Sequence, residues 1–321
     1  MKGFVRCLVA AIAFSLLATG VHAQSKYPNR PIRLLTPFAA GGGSDLLARR
    51  ISGPMTELLG QQVVVDNRPG GGGSLGAAIA AHAAPDGYTL IVVSGSYGAN
   101  EATHHIDYDS VNGITPIILI GTTPLVLTLN PKTPVKSVKE FIDYGKANPG
   151  KLNIASAGVG GLDHLAGELF KQLSGANYTI VPYKGSGPAM TGLLSGEVNG
   201  SMTTLVTSIP HIKAGRLRAI GVTTAKRARA LPDVPSISET VRGYDVVHWY
   251  GMWGPKGLPK NIVLLWNREV GKILRTPENE KWLQDQGLER AGGPPEEYAE
   301  RLRIDVAKWK RVVKEAHLKF N

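Results

Sequence analysis

Apolar and polar positions follow one another in a pattern that predicts strands and amphipathic helices in alternation. Short apolar runs, such as the one after Pro31 and those at 63–65 and 89–94, predict strands covered on both faces, as in a parallel sheet. Between the first two runs, apolar residues recur at helical spacing from Leu46 to Leu59. Strands that alternate with helices indicate an α/β fold.

Glycines followed by serine end the first two predicted strands. The chain reads Gly41-Gly-Gly-Ser-Asp45 after the first strand and Gly70-Gly-Gly-Gly-Ser74 after the second. Glycine leaves the backbone N–H groups accessible, and we expect Ser44 and Ser74 to be the N-caps of the helices that follow. A helix start carries unpaired N–H groups and a partial positive charge, so both loops are predicted anion sites that face one crevice.

The same arrangement recurs in the second half of the chain. The strand 152–156 runs into Gly158, Gly160 and Gly161 and then a predicted helix from Asp163, and a weaker copy runs from Thr179 to Pro188 and includes Tyr183. The predicted loop 95–100 and the end of the strand 198–203 place further polar groups at the crevice: Ser94, Ser96, Tyr97, Asn100, Thr203 and Thr204.

Two successive α/β units predict two lobes with a ligand cleft between them. The segments 114–120 and 125–129 are predicted strands separated by Gly121-Thr-Thr-Pro124, where the chain crosses from one lobe to the other. The closing helices have no predicted strands of their own and are expected to cover the first lobe. Lobe 1 is therefore predicted at 24–122 and 250–321, and lobe 2 at 123–249.

The first 23 residues have the pattern of a secretory signal peptide. Lys2 and Arg6 precede an apolar core, and Val21-His-Ala23 places small residues where cleavage after Ala23 is expected. The single cysteine of the 321-residue chain, Cys7, lies in this leader, so we expect no disulfide and a periplasmic location. The formal net charge of +11 is scattered and accompanies no nucleic-acid motif, so no nucleic-acid partner is expected.

The motifs of common enzymes are incomplete. Gly71, Gly73 and Gly76 satisfy G-x-G-x-x-G, but the acidic residue of a dinucleotide site is not where it is needed. The sequence lacks the P-loop and His-Glu-x-x-His motifs, and the spacing of His104, His105, Asp107 and Asp109 matches no metal site. We expect no metal and no cofactor. An exported hydrolase that uses Ser156 and His164 stays as an alternative, although a ligand-binding or capping role for His164 is favoured.

Aromatic residues cluster near position 250. His248, Trp249 and Trp253 are predicted either to wall an apolar part of the ligand or to pack in the core, and the sequence does not decide between these roles.

Several motifs, in order along the mature chain, resemble the Bug family, the periplasmic solute receptors of tripartite tricarboxylate transporters. They are Pro37-Phe-x-x-Gly-Gly-x-x-Asp45, Asn67-Arg-Pro-Gly-x-Gly-Gly73, Pro85-Asp-Gly-Tyr-Thr-Leu90, His164-Leu-Ala-Gly-Glu168, Pro182-Tyr-Lys-Gly-Ser-Gly-Pro188, Leu231-Pro-Asp-Val-Pro235 and Trp249-Tyr-Gly251. The resemblance implies a two-lobed, type II-like periplasmic binding protein, with a doubly wound sheet in each lobe. It also implies a carboxylate ligand and delivery to a membrane permease.

Carried over by position, the resemblance assigns one ligand carboxylate to two loops, Phe38 to Asp45 and Arg68 to Ser74. It assigns selectivity to the second lobe. The predicted ligand-binding residues implied in this way are Phe38, Gly42, Gly43, Ser44, Asp45, Arg68, Gly71, Gly72, Gly73, Ser74, Ser156, Ala157, Gly158 and His164. Tyr183 and His248 complete the predicted set.

The chain departs from the usual pattern of relatives at Thr191-Gly192, Val198-Asn199 and Leu258, which leaves ligand identity open. We expect a non-enzymatic, monomeric receptor for a small organic carboxylate, with a dicarboxylate favoured and an aromatic one possible. A ligand sensor that signals to a histidine kinase is the further alternative.

Overall fold

A computed structural model describes residues 27–315 and 318–320. The predicted signal peptide, with Cys7 and the cleavage site after Ala23, lies outside the described residues. The strands in the described part are Ile32–Thr36 (β1), Val63–Asn67 (β2), Thr89–Ser94 (β3), Ile114–Leu129 (β4), Asn153–Ser156 (β5), Thr179–Pro182 (β6), Gly200–Thr204 (β7), Arg218–Val222 (β8), Val247–Pro255 (β9) and Glu289–Gly292 (β10).

Helices alternate with these strands as the pattern predicts. They are Gly43–Leu59 (α1), Ser74–Ala81 (α2), Ser96–Thr103 (α3), Val138–Ala147 (α4), Leu162–Ser174 (α5), Ser186–Ser195 (α6), Leu205–Lys213 (α7), Lys260–Leu274 (α8), Pro277–Asp285 (α9) and Pro295–Glu315 (α10), with short 3₁₀ turns at Gly71–Gly73 and Ile237–Glu239. The sequence predicts a last helix from Pro295 to His317, of which residues 316 and 317 lie outside the described part.

The sheet has two halves that share the long strand β4. In the first half, β2, β1 and β3 are parallel, and β9 joins β3 to residues 114–124 of β4, with β10 on the other edge of β4. In the second half, residues 125–129 of β4 pair with β7 and β8, and parallel strands β5 and β6 complete the order. We call these the first half and the second half.

Helices pack on both faces of each half and bury separate cores. In the first half, Leu34, Val92 and Trp266 belong to a cluster between the sheet and helices α1 and α8. In the second half, Phe141 and Phe170 anchor another cluster under α4 and α5. The α/β two-domain fold predicted from the sequence is confirmed. Within the residues described, no helix combines the length and apolar character needed to cross a bilayer.

The prediction of two strands at 114–120 and 125–129 is wrong, because the chain stays extended between them. Thr122, Thr123 and Pro124 pair with Trp249, His248 and Val247 of β9, so β4 runs on without a turn. Pro124 is tolerated although it offers no N–H for a ladder hydrogen bond.

Two further expectations are corrected. The predicted loop 95–100 forms helix α3, because its small residues pack into the core with Tyr97. The closing region also contributes a strand, β10, which pairs antiparallel with β4. Its sequence, Glu-Arg-Ala-Gly, has no apolar run that would reveal a strand.

Candidate functional site

A cavity lies between the two halves of the sheet. The space within it that the centre of a water molecule can occupy is about 20 Å³. It is lined by Phe38, Gly42, Gly43, Ser44, Ser94, Ser96, Leu125, Ala157, Asp163, Ser186, Thr203, Thr204, His248 and Tyr250. This space is large enough for about one ordered water molecule, so a larger ligand can enter only if the walls separate.

Five helices begin at this cavity. The lining includes residues at the starts of α1, α3, α5, α6 and α7, which come from both halves. Their N-cap residues are Gly42, Gly95, Gly161, Gly185 and Thr204, and none of these makes a side-chain capping hydrogen bond. Helix starts without a side-chain cap present backbone N–H groups and a partial positive charge, so the cavity favours an anion. At α5 the first N–H, that of Leu162, is already paired with Ser96 Oγ.

The prediction that Ser44 and Ser74 are N-caps is wrong. Gly42 caps α1, and Ser44 is its second residue, while Gly73 caps α2. A side chain on Gly43, the first residue of α1, would collide with the hydroxyl of Tyr250, and the φ of +99° at Gly73 favours glycine at the start of α2. The hydroxyl of Ser44 is buried and has no hydrogen-bond partner in the described residues, so it is available to a ligand.

Asp45 stabilises the first glycine loop through hydrogen bonds to its carboxylate. Its carboxylate accepts hydrogen bonds from the N–H of Gly41 at 3.0 Å, from Asn67 Nδ2 at 3.0 Å and from Arg49 Nε at 3.0 Å. Burial alone would raise the pKa of Asp45, but the bonds from Arg49, Gly41 and Asn67 hold it below its usual value. Asp45 therefore fixes the loop without lining the cavity itself.

Strand β9 presents two aromatic side chains to the cavity. His248 and Tyr250 are two residues apart and so lie on the same face of the strand, with their rings edge to face at 4.9 Å. Burial lowers the pKa of His248 to about 3, so its ring is neutral at pH 7, and neither ring nitrogen has a partner within the described residues. Trp249 and Trp253 are fully buried in the core, which decides their role.

Asp163 is the acid of the cavity wall. It is the second residue of α5, only 6% exposed, and one of its oxygens, Oδ2, accepts a hydrogen bond from the N–H of Ala157. The other oxygen, Oδ1, has no partner among the described residues. Burial raises the pKa of Asp163 to about 6, although the backbone N–H bonds oppose this shift.

The two halves touch beside the cavity, largely through glycines. A side chain on Gly72 would lie 2.6 Å from the carbonyl oxygen of Val159, and one on Gly187 would lie 2.6 Å from that of Ala40. Two hydrogen bonds also join the halves: Leu162 N–H donates to Ser96 Oγ at 3.0 Å, and Thr103 Oγ1 donates to the carbonyl oxygen of Gly160 at 3.1 Å. The cavity is therefore closed by close backbone contact.

Ten residues predicted to bind the ligand line the cavity. They are Phe38, Gly42, Gly43, Ser44, Ser94, Ser96, Ala157, Thr203, Thr204 and His248. The structure places the other predicted residues outside the lining: Asp45, Arg68, Gly71, Gly72, Gly73, Ser74, Tyr97, Asn100, Ser156, Gly158, His164 and Tyr183.

The residues outside the lining have contacts of their own. Arg68 is half exposed and pairs with Asp66. The hydroxyl of Tyr97 donates to the carbonyl oxygen of Ser110 at 3.0 Å, which directs it into the core. Tyr183 packs against Gly192, where a side chain would collide with its hydroxyl, so Gly192 makes room for this tyrosine.

Sequence reasoning missed four lining residues: Leu125, Asp163, Ser186 and Tyr250. Ser186 and Asp163 stand in the first turns of helices whose preceding loops were singled out, three residues from Tyr183 and one from His164. If residues 247–255 are taken as a strand, the sequence identifies Tyr250, because a side chain two residues from His248 lies on the same face of the strand. Leu125 carried no signal, since it follows a predicted turn that does not form.

Ser156 and His164 do not form a catalytic pair. Ser156 Oγ donates to the carbonyl oxygen of Gly158 at 3.4 Å, and His164 Nδ1 accepts the N–H of Gly160 at 3.3 Å. In the part of the chain that the structure describes, no hydrogen bond joins the two side chains. Nor does that part contain a group of three or more His, Cys, Asp or Glu residues placed to hold a metal ion.

Comparisons with known proteins agree on one family. A sequence profile described as the tripartite tricarboxylate transporter family receptor matches residues 47–318. The protein BugT of Bordetella pertussis (strain Tohama I) is 33% identical to this chain, and the match covers 98% of each protein.

Solved structures with bound carboxylates are similar to this one. The structure of Rpa4515 from R. palustris with adipate has a TM-score of 0.88 and 34% identity, and covers 92% of this chain and 100% of that one. MatC (Rpa3494) from Rhodopseudomonas palustris with bound malate has a TM-score of 0.84 and 32% identity, and covers 89% and 100%.

Proposed function

Because the chain belongs to the tripartite tricarboxylate transporter receptor family, we propose that it binds a small organic dicarboxylate between the two halves of the sheet and delivers it to a membrane permease. The observation that carries this proposal is the convergence of five uncapped helix starts on one cavity. As a member of a receptor family, the chain is a solute-binding protein and not an enzyme.

The ligand is held by neutral donors. No lysine or arginine is among the fourteen lining residues of the described chain, so the first-turn N–H groups and the hydroxyls of Ser44, Ser96 and Thr204 do the binding. Each favourable helix start contributes about 0.3–1 kcal/mol toward a nearby anion. Several such contributions, without a fixed opposite charge, allow capture and later release.

A dicarboxylate fits the distribution of these donors. Helix starts α1 and α3 come from the first half, and α5, α6 and α7 come from the second. One carboxylate would bind to the loop at Gly42–Ser44, and the second would bind to the opposite wall. The bound adipate and malate of the two similar structures support this class of ligand.

We propose that the two halves move as lobes, with bounds at 24–122 and 250–321 for lobe 1 and at 123–249 for lobe 2. Strands β4 and β9 are the connections that pass between the halves, and they pair with each other at Thr123 and His248. Bending there would open the cavity, and the core contacts that it would change are those of Val206 in the first core and of Ala99 and Trp309 in the second.

Export and oligomeric state complete the proposal. Its members are periplasmic binding proteins, and we propose that the leader is cleaved after Ala23 and that the mature receptor is a monomer. The intact mass of the exported chain and its light scattering check both points.

A ligand panel tests the function. Purified receptor is freed of ligand and heated with aliphatic and aromatic mono-, di- and tricarboxylates, and hits are measured by isothermal titration calorimetry. At 100-fold the dissociation constant a specific ligand stabilises the fold by about 2.7 kcal/mol. We expect dicarboxylates to raise the melting temperature most and to be recovered unchanged. Turnover of a panel member, or stabilisation by none, would contradict the proposal.

A further inference from the structure

A buried acid lines a cavity that is otherwise built for anions. Asp163 is 6% exposed and belongs to the cavity wall, at the start of α5. The helix starts around it favour a ligand carboxylate, whereas an ionised Asp163 repels one. A carboxylate at this position therefore needs a role other than binding the ligand's own carboxylates.

The geometry leaves one oxygen of Asp163 free for that role. Oδ2 is occupied by the N–H of Ala157, but Oδ1 has no hydrogen-bond partner in the described residues. Gly161 keeps this oxygen uncovered, because a side chain there would lie 3.0 Å from Oδ1 and 3.3 Å from Ser96 Oγ. A buried acceptor without a donor is unfavourable, so Oδ1 is poised to accept a hydrogen bond from a ligand.

At pH 7 the charge state of Asp163 suits the role of a hydrogen-bond acceptor. Burial raises its pKa to about 6, so at pH 7 most molecules carry the ionised form. An ionised carboxylate accepts hydrogen bonds but cannot donate one. A ligand carboxylate is also an acceptor only, whereas a hydroxyl or an ammonium group is a donor.

We propose that the receptor prefers a carboxylate that also carries a hydroxyl or ammonium group, which donates a hydrogen bond to Oδ1 of Asp163. This inference rests on the proposed function and narrows its ligand class. The hydroxyl and the ammonium share the donor chemistry, and an ammonium adds the attraction of opposite charges.

Matched ligands test the preference. For chain lengths of four, five and six carbons, the unsubstituted dicarboxylate, its 2-hydroxy form and its 2-amino form are titrated into the mature receptor by calorimetry. At four carbons these are succinate, malate and aspartate. Because a hydrogen bond to a charged group is strong, we expect a donor-bearing member to bind about tenfold tighter or more than its unsubstituted partner. The better of the two substituted series identifies the donor.

Two variants assign the preference to Asp163. Asp163→Asn keeps a side-chain oxygen for Ala157 and removes the charge, so we expect it to weaken donor-bearing ligands, to strengthen the unsubstituted ones, and to reduce the preference to about threefold or less. Gly161→Ala leaves the acid but covers Oδ1. Because the φ of Gly161 is −68°, alanine is not strained there, and we expect a smaller reduction. Asp233→Asn, on an exposed loop, is the matched control.

The outcomes separate this inference from the proposed function. A preference that Asp163→Asn abolishes and Asp233→Asn retains supports the role of Asp163. Equal binding of substituted and unsubstituted dicarboxylates, or a preference that survives both cavity variants, overturns it while the carboxylate receptor stands. Binding of none of these ligands would overturn the inference together with the proposed function. Melting curves of each variant establish that it is folded.

Discussion

Asp45 and Asp163 occupy similar places in the sequence but opposite environments. Each lies in the first turn of a helix that follows a glycine loop. Asp45 has Arg49, Asn67 and the N–H of Gly41 as partners, and its pKa is lowered despite burial. Asp163 is buried and has only backbone N–H groups as partners in the described residues, chiefly that of Ala157, and its pKa is raised. Sequence predicts the position of both acids but not their environments, because those are set by side chains distant in sequence.

The two acids predict opposite effects of pH on stability. Asp163 has a folded-state pKa of about 6 against an ordinary 3.8, so its protonation stabilises the fold below pH 3.8 and this stabilisation is lost as pH rises through 6. Relative to wild type, ligand-free Asp163→Asn should gain up to about 3 kcal/mol in unfolding free energy between pH 4 and 7.

Asp45→Asn serves as the comparison for this experiment. The lowered pKa of Asp45 stabilises the fold above its ordinary pKa, and this contribution is lost as pH falls, so this variant should lose stability relative to wild type as pH rises from 3 to 6. Urea unfolding at each pH measures both differences. If the two variants shift in the same direction with pH, the assigned environments are incorrect.

At the scale of elements, the glycine loops were predictable and their caps were not. A run of glycines after an apolar strand predicts an accessible backbone, and α1, α5 and α6 do begin at such loops. Serine is a common N-cap, yet glycine takes that position at α1 and α2. The φ of +99° at Gly73 favours glycine at the start of α2, and Tyr250 leaves no room for a side chain on Gly43, the first residue of α1. Such an approach depends on β9, which is about 200 residues away along the chain.

Contacts between residues distant in sequence also explain the errors in the predicted strands. Thr122 to Pro124 resembles a turn locally, but pairing with β9 holds it extended, and the composition of β10 is that of a loop. Tertiary pairing therefore decides these elements against local preference. Helix α1 was predictable to within a few residues, because its amphipathic spacing is long and regular, whereas α3 was predicted as a loop.

Gly72 is predicted to matter for closure of the cavity. Its φ is +59°, and a side chain would lie 2.6 Å from the carbonyl oxygen of Val159 across the cleft. Gly72→Ala should therefore weaken binding of the best ligand from the panel about tenfold or more, a cost of about 1.4 kcal/mol in closing. Titration calorimetry measures the affinity.

Gly60→Ala, at the end of α1, is the matched control for Gly72→Ala. Gly60 has a similar φ of +64° with no atom within 4 Å of an added side chain, so the backbone strain is the same without the contact. We expect both variants to lose about 1 kcal/mol of stability, as alanine does in the left-handed region. Equal affinities of the two variants would show that Gly72 does not restrict closure.

At the scale of the whole molecule, the closed cavity requires the proposed hinge, because a ligand can enter only if the walls separate. The reachable space holds about one water, yet five helix starts and several unpartnered polar side chains face it. Those groups stay unsatisfied in the closed form until a ligand binds, so a ligand should favour closure. In the proposed motion, strands β4 and β9, which pass between the halves, act as the hinge. Glycines such as Gly72 and Gly187 allow the two walls to meet.

The most direct measurement is a crystal structure of the receptor with the tightest dicarboxylate from the panel. The proposed mode of binding predicts that the ligand carboxylates lie about 2.7–3.2 Å from first-turn N–H groups of helices in both halves. It also predicts that no lysine or arginine contacts them. A ligand held by Arg68 or another cationic side chain outside the cavity, or bound to one half alone in a closed molecule, would contradict the central claim.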